Sequence, residues 1–329
     1  MNEKKLLNLV FGGYSVIDWS DLFFSTDDEA AAFLRLNEFD LSRQKDLDRL
    51  LAIHNESVGY LQRELRYDLS EELAKPPLDM VRLLRTASGG VDQKLRQQAC
   101  SLLKTMNIVN HIDGRELLYN CPISQRDLFS LVEDKIERAL SALIRTDPTF
   151  LRYKGGRKPK ESLITKLLCK RETIAAQIYD RVRYRIVTRT REDIVRVLLH
   201  LFNTILPFNY VIPGVSVNQL LPLTSRDKIQ TISEGLKRRF LSPTFRMEYS
   251  GPSYRVCKFV VDIPVRMDRF LASTGTHVYR DSLGSLAYVL VEFQIVDEET
   301  DARNNMGKSS HENYKDRQKR GVLKRLKGG

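Results

Sequence analysis

Residues 288–296 read YVLVEFQIV, and residues 179–188 read YDRVRYRIVT. Both stretches are rich in β-branched and aromatic residues, so we predict a strand in each of them. Side chains alternate along a strand, which puts Glu292 and Gln294 on one face and three apolar residues on the other. A carboxylate and an amide in the middle of such a strand are costly unless they meet a ligand, a metal ion or a partner.

Asp180, at the start of the other strand, is the second acidic residue that stands out by its context. Taken alone, Asp180 and Glu292 are each better explained by a structural role, either on an exposed strand face or in a buried salt bridge to Arg185. Their interpretation changes only when the segments around them are considered together.

The chain on either side of these strands divides into two parts. Up to about residue 145 the apolar spacing is helical, with helices predicted at 42–66, 78–87, 93–106 and 125–144. From residue 147 onward, extended and helical patterns alternate. Further strands are predicted at 149–154, 209–212 and 254–265, and helices at 160–170, 190–205, 227–240 and from Ser310. We therefore predict an α+β protein: a helical module at 1–146, then a domain at 147–329 with a mixed β-sheet covered by helices.

The net charge of +11 is unevenly distributed. Residues 1–60 carry six basic and eleven acidic side chains, whereas residues 152–171 carry eight Lys/Arg against one acid and residues 315–329 carry seven against one. Such density attracts phosphate, whether on a nucleotide or on RNA. For the C-terminal segment alone, a solvated and solubilising surface is the better explanation.

Composition argues against a membrane protein and a disulfide scaffold. No run of eighteen apolar residues is present, so we expect no transmembrane helix and no membrane partner. The four cysteines, at 100, 121, 169 and 257, are widely scattered and lack the spacing of zinc ligands. These features favour a reduced, cytoplasmic setting.

The polar segments of the second half occur in a defined order. They read KPKESLITKLLCKR (158–171), YDRVRYRIV (179–187), NYVIPGVSVN (209–218), VEFQI (291–295) and HENYK (311–315). This order and its rough spacing resemble the synthetase domain of the RelA/SpoT alarmone enzymes over about the last 180 residues. No single motif is specific to that family, whereas the ordered set is moderately so. The fold implied is a nucleotidyltransferase-like α+β domain.

The resemblance also implies a role for each matching residue. Asp180 and Glu292 would be the catalytic acids and the Mg²⁺ ligands, and Glu292 could accept the proton of the attacking hydroxyl. An upstream arginine, either Arg152 or Arg157, would pair with Arg185 on adenine, and the motif match leaves both open. The residues that contact ATP would further include Lys158, Ser162, Lys166, Lys170, Gln294, His311 and Lys315.

The activity implied is Mg²⁺-dependent transfer of pyrophosphate from ATP to a nucleotide-like acceptor, as in the alarmone synthesis of the stringent response. The acceptor side departs from the family, because Arg183 replaces a glycine of the Asp-x-x-Gly-x-Arg strand and Leu220 replaces a tyrosine that stacks on guanine. Two alternatives therefore stay open. One is the same transfer to RNA, such as a tRNA 3′ end, held by segments 152–171 and 315–327. The other is a catalytically inactive nucleotide- or RNA-binding regulator.

Overall fold

A computed structural model describes residues 3–12, 24–76, 78–89, 92–169, 179–221, 253–274, 283–306 and 311–327. The helices are α1 (Glu3–Phe11), α2 (Asp27–Leu36), α3 (Gln44–Arg63), α4 (Glu71–Ala74), α5 (Met80–Ser88), α6 (Gln93–Asn120), α7 (Gln125–Thr146), α8 (Lys160–Cys169), α9 (Asp193–Thr204), α10 (Asp268–Thr274), α11 (Glu298–Asn304) and α12 (His311–Leu326). The strands are β1 (Phe150–Arg157), β2 (Val182–Thr188), β3 (Val217–Asn218), β4 (Cys257–Arg266) and β5 (Leu286–Asp297).

The five strands form one sheet in the order β1–β2–β5–β4–β3. β2 and β5 run parallel, and the other three neighbouring pairs are antiparallel. A parallel neighbour needs a long crossover, and the chain between β2 and β5 includes α9 and β4. The prediction of an α+β protein with a mixed sheet is therefore confirmed.

One face of the sheet is the centre of the hydrophobic core. The rings of Tyr184, Phe293 and Phe259, from β2, β5 and β4, stack in a row with centroid separations of 6.0 and 5.4 Å. α9 covers this row through Phe202, whose ring centroid lies 5.4 Å from that of Phe259. All four side chains are almost completely buried. We call this side the apolar face.

The other face is covered by α6 only near the start of β5. Asn110 on α6 donates a 2.7 Å hydrogen bond to the Tyr288 hydroxyl, and His111 Nε2 lies 2.8 Å from Asp262 Oδ2. Arg115 bonds the same carboxylate oxygen. These contacts join the N-terminal helices to the sheet and stop short of the polar residues further along β5.

The four helices predicted in the N-terminal part correspond to α3, α5, α6 and α7, whereas α1, α2 and α4 were not predicted. Ser124 Oγ accepts from the Asp127 N–H at 3.1 Å and so caps the start of α7. α6 runs to Asn120, well past the predicted end at 106, because buried positions such as Val109 and Leu117 continue its inner face. No helix in the described ranges is long and apolar enough to cross a membrane.

One strand predicted from the local sequence pattern is wrong. Residues 209–212 do not form a strand: Phe208–Tyr210 is a 3-10 turn, and only Val211 makes an isolated bridge, to Val261. The turn buries the Tyr210 hydroxyl, which lies 2.8 Å from the Tyr288 hydroxyl, so tertiary packing overrides the local strand pattern. The strand predicted from 179 begins at Val182. The helix predicted at 227–240 lies outside the described residues.

Candidate functional site

Strand register brings polar residues of three strands onto one face, which we call the polar face. In the parallel pair β2–β5, Arg183 lies level with Glu292 and Arg185 lies level with Gln294. In the antiparallel pair β4–β5, Lys258 lies level with Gln294. Residues that are level on neighbouring strands point to the same side, so these five side chains share one surface.

Glu292 is buried within the polar face, with 7% of its surface exposed. Its Oε1 atom accepts a 2.7 Å hydrogen bond from Gln294 Nε2, and its Oε2 atom lies 3.7 Å from Lys258 Nζ. Lys258 is buried as well, so the two opposite charges compensate each other away from bulk water. Buried charges of this kind cost stability, and they concentrate at functional sites.

Lys258 is a polar-face residue that the family motifs do not indicate. It interrupts the apolar run CKFVVDIPV at 257–265, and period-two alternation puts it on the same side as Asp262. A lysine in an otherwise buried strand is rarely found without a partner, so a signal was present in the sequence. The identity of that partner depends on β4 pairing with β5, which the local sequence does not specify.

Asp180 precedes β2 and is buried between two lysine side chains. Lys158 Nζ donates to its Oδ2 atom at 2.6 Å, and Lys166 Nζ donates to its Oδ1 atom at 2.6 Å. Burial alone raises the pKa of Asp180, but the charges of Lys166 and Lys158 outweigh burial and hold the pKa well below the usual range of a carboxyl group. Burial lowers the pKa of Lys158 despite the attraction of Asp180. We call these three residues the lysine cluster.

The connection from β1 to α8 positions the lysine cluster. The Lys158 N–H donates to the Arg181 carbonyl at 2.8 Å, which fixes Lys158 beside the start of β2. Pro159 then supplies the carbonyl that accepts from the Ser162 N–H at 3.0 Å and begins the helix. Ser162 is partly buried in this first turn, and Lys166 follows one turn later. Both lysines thus reach Asp180 from a short, well-anchored segment.

Two arginines and an aspartate form a second group, which we call the arginine cluster. Asp301 Oδ1 accepts from Arg185 Nε at 2.9 Å and from its Nη2 at 2.7 Å, and Asp301 Oδ2 accepts from Arg152 Nη2 at 2.9 Å. Arg157 lies elsewhere and donates to Glu133 on α7, with 2.6 Å between Nη2 and Oε2. Of the two candidate arginines, Arg152 is therefore the one that shares a partner with Arg185.

The remaining predicted site residues fall on α8 and α12 or just beyond. Lys170 lies outside the described residues. His311 begins α12, and Lys315 is exposed one turn later. α12 packs on α8, where Cys169 Sγ donates to the Gln318 carbonyl at 3.2 Å. The roles of Lys170, His311 and Lys315 stay predictions.

The predicted Mg²⁺ ligands can be compared with the donors in the site. Carboxylate oxygens suit Mg²⁺, and Asp180 and Glu292 supply them. Both Asp180 oxygens, however, already accept a lysine, and across the described part of the chain no group of three or more His, Cys, Asp or Glu could hold a metal ion. Within the lysine cluster two ammonium groups share one carboxylate, so this cluster favours a polyanion over a bare cation. Asp180 would therefore offer its oxygens to Mg²⁺ only after phosphate oxygens replace it as the partner of Lys158 and Lys166.

No protein-family model matches the chain, and no curated protein matches it significantly. Similar solved structures include small alarmone synthetase 2 from Bacillus subtilis, at 18% identity and TM-score 0.33 over 61% of this chain and 90% of that one. Small alarmone synthetase 1 from Bacillus subtilis, bound to its product pppGpp, is 20% identical, with TM-score 0.32 over 60% and 86%. A GTP pyrophosphokinase family protein from Streptococcus pneumoniae is 16% identical, with TM-score 0.30 over 60% and 82%.

Proposed function

We propose that the polar face binds ATP and catalyses transfer of its pyrophosphoryl group to a nucleotide-like acceptor. The observation that carries this proposal is the lysine cluster beside the start of β2, the strand that pairs with β5 and so lies next to Glu292. Together with the Glu292–Lys258 pair it supplies three ammonium groups and two carboxylates in largely buried positions. A triphosphate matches the excess positive charge. Two carboxylates match the need of phosphoryl transfer for a bound divalent ion.

Lys158 and Lys166 would bind the triphosphate. In the free protein each of them donates to one oxygen of Asp180, at 2.6 Å. Phosphate oxygens carry more charge than one carboxylate and compete for the same ammonium groups through charge-assisted hydrogen bonds. Binding therefore exchanges the partner of both lysines and releases the Asp180 oxygens.

Asp180 and Glu292 would hold Mg²⁺, which neutralises the triphosphate when bound. Glu292 would also accept the proton of the attacking hydroxyl, because Gln294 fixes its Oε1 atom and so orients the carboxylate. The hydroxyl oxygen forms a bond to the β-phosphorus, the bond from that phosphorus to the α,β-bridging oxygen breaks, and AMP leaves. Gln294 thus orients the proton acceptor.

Arg152 and Arg185 would stack on the adenine base. The resemblance that implies this role left Arg157 as an alternative, and its bonds to Glu133 on α7 turn it away from Arg185. By the same resemblance, further contacts to ATP would come from Ser162, Lys170, His311 and Lys315.

The acceptor is expected not to be a free guanosine nucleotide held by stacking. Leu220 stands in place of the stacking tyrosine and is itself buried. Two nearby aromatic residues are committed to the core: Tyr210 bonds Tyr288, and Phe208 stacks on Phe33 with centroids 4.9 Å apart. GDP and GTP should therefore be poor acceptors, since stacking on a base contributes about 1–3 kcal/mol.

The transfer is tested by incubating the full chain with Mg²⁺ and ATP labelled on its β and γ phosphates, together with a nucleotide panel or bulk tRNA. We expect label on an acceptor and accumulation of AMP. Glu292→Gln should abolish transfer, and Asp268→Asn, which changes an aspartate bonded to Arg266 at the far end of β4, should retain it. Release of ADP and free phosphate, or stable ATP with every acceptor, would contradict the proposal.

RNA is the second candidate acceptor, because the basic C-terminal helix α12 packs against α8, which belongs to the other basic segment. α12 packs against α8, with Val322 buried and Arg325 bonded to the Leu168 carbonyl. The exposed cations of this helix pair are Lys160, Lys315, Lys319, Arg320, Lys324, Arg325 and Lys327. Any RNA affinity should fall steeply with salt, because phosphate contacts release counterions. RNA binding without transfer of label would favour an inactive regulator instead.

A further inference from the structure

Arg185, in the arginine cluster, uses most of its hydrogen-bonding edge within the protein. Arg185 donates to Asp301 through Nε and Nη2, and its Nη1 donates to the Tyr254 hydroxyl at 3.0 Å and to Gln294 Oε1 at 3.3 Å. A guanidinium group has five N–H donors in one plane, and four are engaged here. What Arg185 can offer a ligand is therefore its flat face, which stacks on aromatic rings.

Charge is balanced within the same cluster. Arg152 donates to Asp301 and also to Glu298, with 3.1 Å between Nη1 and Oε1, so two guanidinium groups meet two carboxylates. Burial alone raises the pKa of Asp301, but the hydrogen bonds from Arg185 and Arg152 outweigh burial and lower it below its usual value. The lysine cluster differs, because its two ammonium groups share one carboxylate.

Asp301 is carried by a helix that is anchored at both ends. Asp297 caps the start of α11 by accepting from the Thr300 N–H at 2.9 Å and from its hydroxyl at 2.6 Å. Near the other end, Asn304 exchanges hydrogen bonds of 3.0 and 2.7 Å with the backbone of Arg255. This support lets Asp301 hold two guanidinium planes in a fixed orientation.

We infer that Asp301 is a positioning residue that makes the arginine cluster bind a planar base instead of a phosphate. The inference rests on the proposed function, because it supposes that the lysine cluster takes the triphosphate. Without the carboxylate, Arg152 and Arg185 could turn their edges outward, and free guanidinium edges bind phosphate in a bidentate way. Asp301 thereby fixes the orientation in which ATP binds, with the base at the arginine cluster and the phosphates at the lysine cluster.

The test compares ATP with inorganic tripolyphosphate, which has no base, by calorimetric titration of the full chain. Wild type should bind ATP about tenfold more tightly, because stacking supplies the difference. Asp301→Asn should lose most of this preference, while its affinity for tripolyphosphate stays the same or rises with the lost negative charge. The control is Asp268→Asn, since Asp268 also contacts two arginines, Arg266 at 2.7 Å and Arg43 at 3.7 Å, and it should change neither affinity.

Each other outcome has a distinct meaning. If Asp301→Asn loses affinity for ATP and for tripolyphosphate equally, the residue only supports the fold. The same conclusion follows if Asp301→Glu recovers none of the preference for ATP. Either result overturns the inference. Equal affinities of wild type for ATP and tripolyphosphate would overturn it as well and leave phosphate binding intact. If wild type binds neither ligand, the proposed function fails together with the inference.

Discussion

The two faces of the central sheet come from the same three strands and bury opposite kinds of side chain. On the apolar face, Tyr184, Phe259 and Phe293 stack in a row. On the polar face, Glu292 and Lys258 are almost as deeply buried, yet they carry charge. Because side chains alternate along a strand, neighbouring residues of β5 have opposite effects on stability. Phe293 stabilises the fold, whereas burial of the charged Glu292 costs stability. The difference teaches that the apolar face stabilises the fold, whereas the polar face carries a charged site beyond the part that α6 covers.

The largest effect should come from the apolar face. Phe293→Ala removes the ring between Tyr184 and Phe259, and we expect a loss of about 3–5 kcal/mol in the free energy of unfolding, measured by urea denaturation. Gln294→Ala, one residue on and facing the other side, should cost less than about 1.5 kcal/mol. Comparable losses in the two variants would show that the faces do not differ as described.

The lysine cluster should come next. The double variant Lys158→Met with Lys166→Met leaves Asp180 buried without its two partners, so the free energy of unfolding should fall by about 3 kcal/mol at neutral pH. Adding Asp180→Asn to the double variant should recover much of that loss, because no unpaired charge remains. A triple variant that is no more stable than the double variant would argue against a paired buried cluster.

The dependence of the free energy of unfolding on acidic pH should show a smaller effect. The folded pKa of Asp180 lies well below its usual value of 3.8, so the carboxylate contributes stability that is present above that value and is lost as pH falls through the folded pKa. The advantage of wild type over Asp180→Asn should therefore shrink by about 1–2 kcal/mol between about pH 5 and about pH 2. A stability difference that stays constant over this range would contradict the assigned ion pairs.

The smallest effect distinguishes two arginines of β1. Arg152→Ala should weaken ATP binding about fivefold, or ~1 kcal/mol, because one stacking partner is lost. Arg157→Ala should change ATP affinity less than about twofold, because Arg157 is bonded to Glu133 on α7. Calorimetric titration measures both. A larger effect at Arg157 would mean that β1 presents its other face to the ligand.

Much of the fold was predictable because its signals are local. The alternation of β2 and β5, the capping residue Ser124 and the helical spacing of the first 145 residues all depend on nearby sequence. The 3-10 turn at Phe208–Tyr210 was not predictable, since its cause is a hydrogen bond between Tyr210 and the distant Tyr288. The order of the strands in the sheet could likewise not be predicted from the local sequence pattern.

The residues of the candidate site were likewise predictable only in part. The motif order predicts Asp180, Lys158 and Lys166, and the structure brings these three together. Lys258 and Asp301 were missed, because their partners are set by strand register and by the docking of α11. The two candidate arginines are five residues apart on a strand, so the sequence requires them to point to opposite faces. Only the position of α7 decides which one faces Glu133.

The central claim is that ATP binds on the polar face, and photolabelling with an azido-adenine analogue of ATP tests it most directly. The reactive group sits on the base, so we predict that labelled peptides come from β1, β2 or α11, around Arg152, Arg185 and Asp301. Labelling should be lost when excess ATP or tripolyphosphate competes and in the Lys158→Met, Lys166→Met variant. Label confined to the helices of residues 24–120, or unaffected by the two lysine substitutions, would contradict the account.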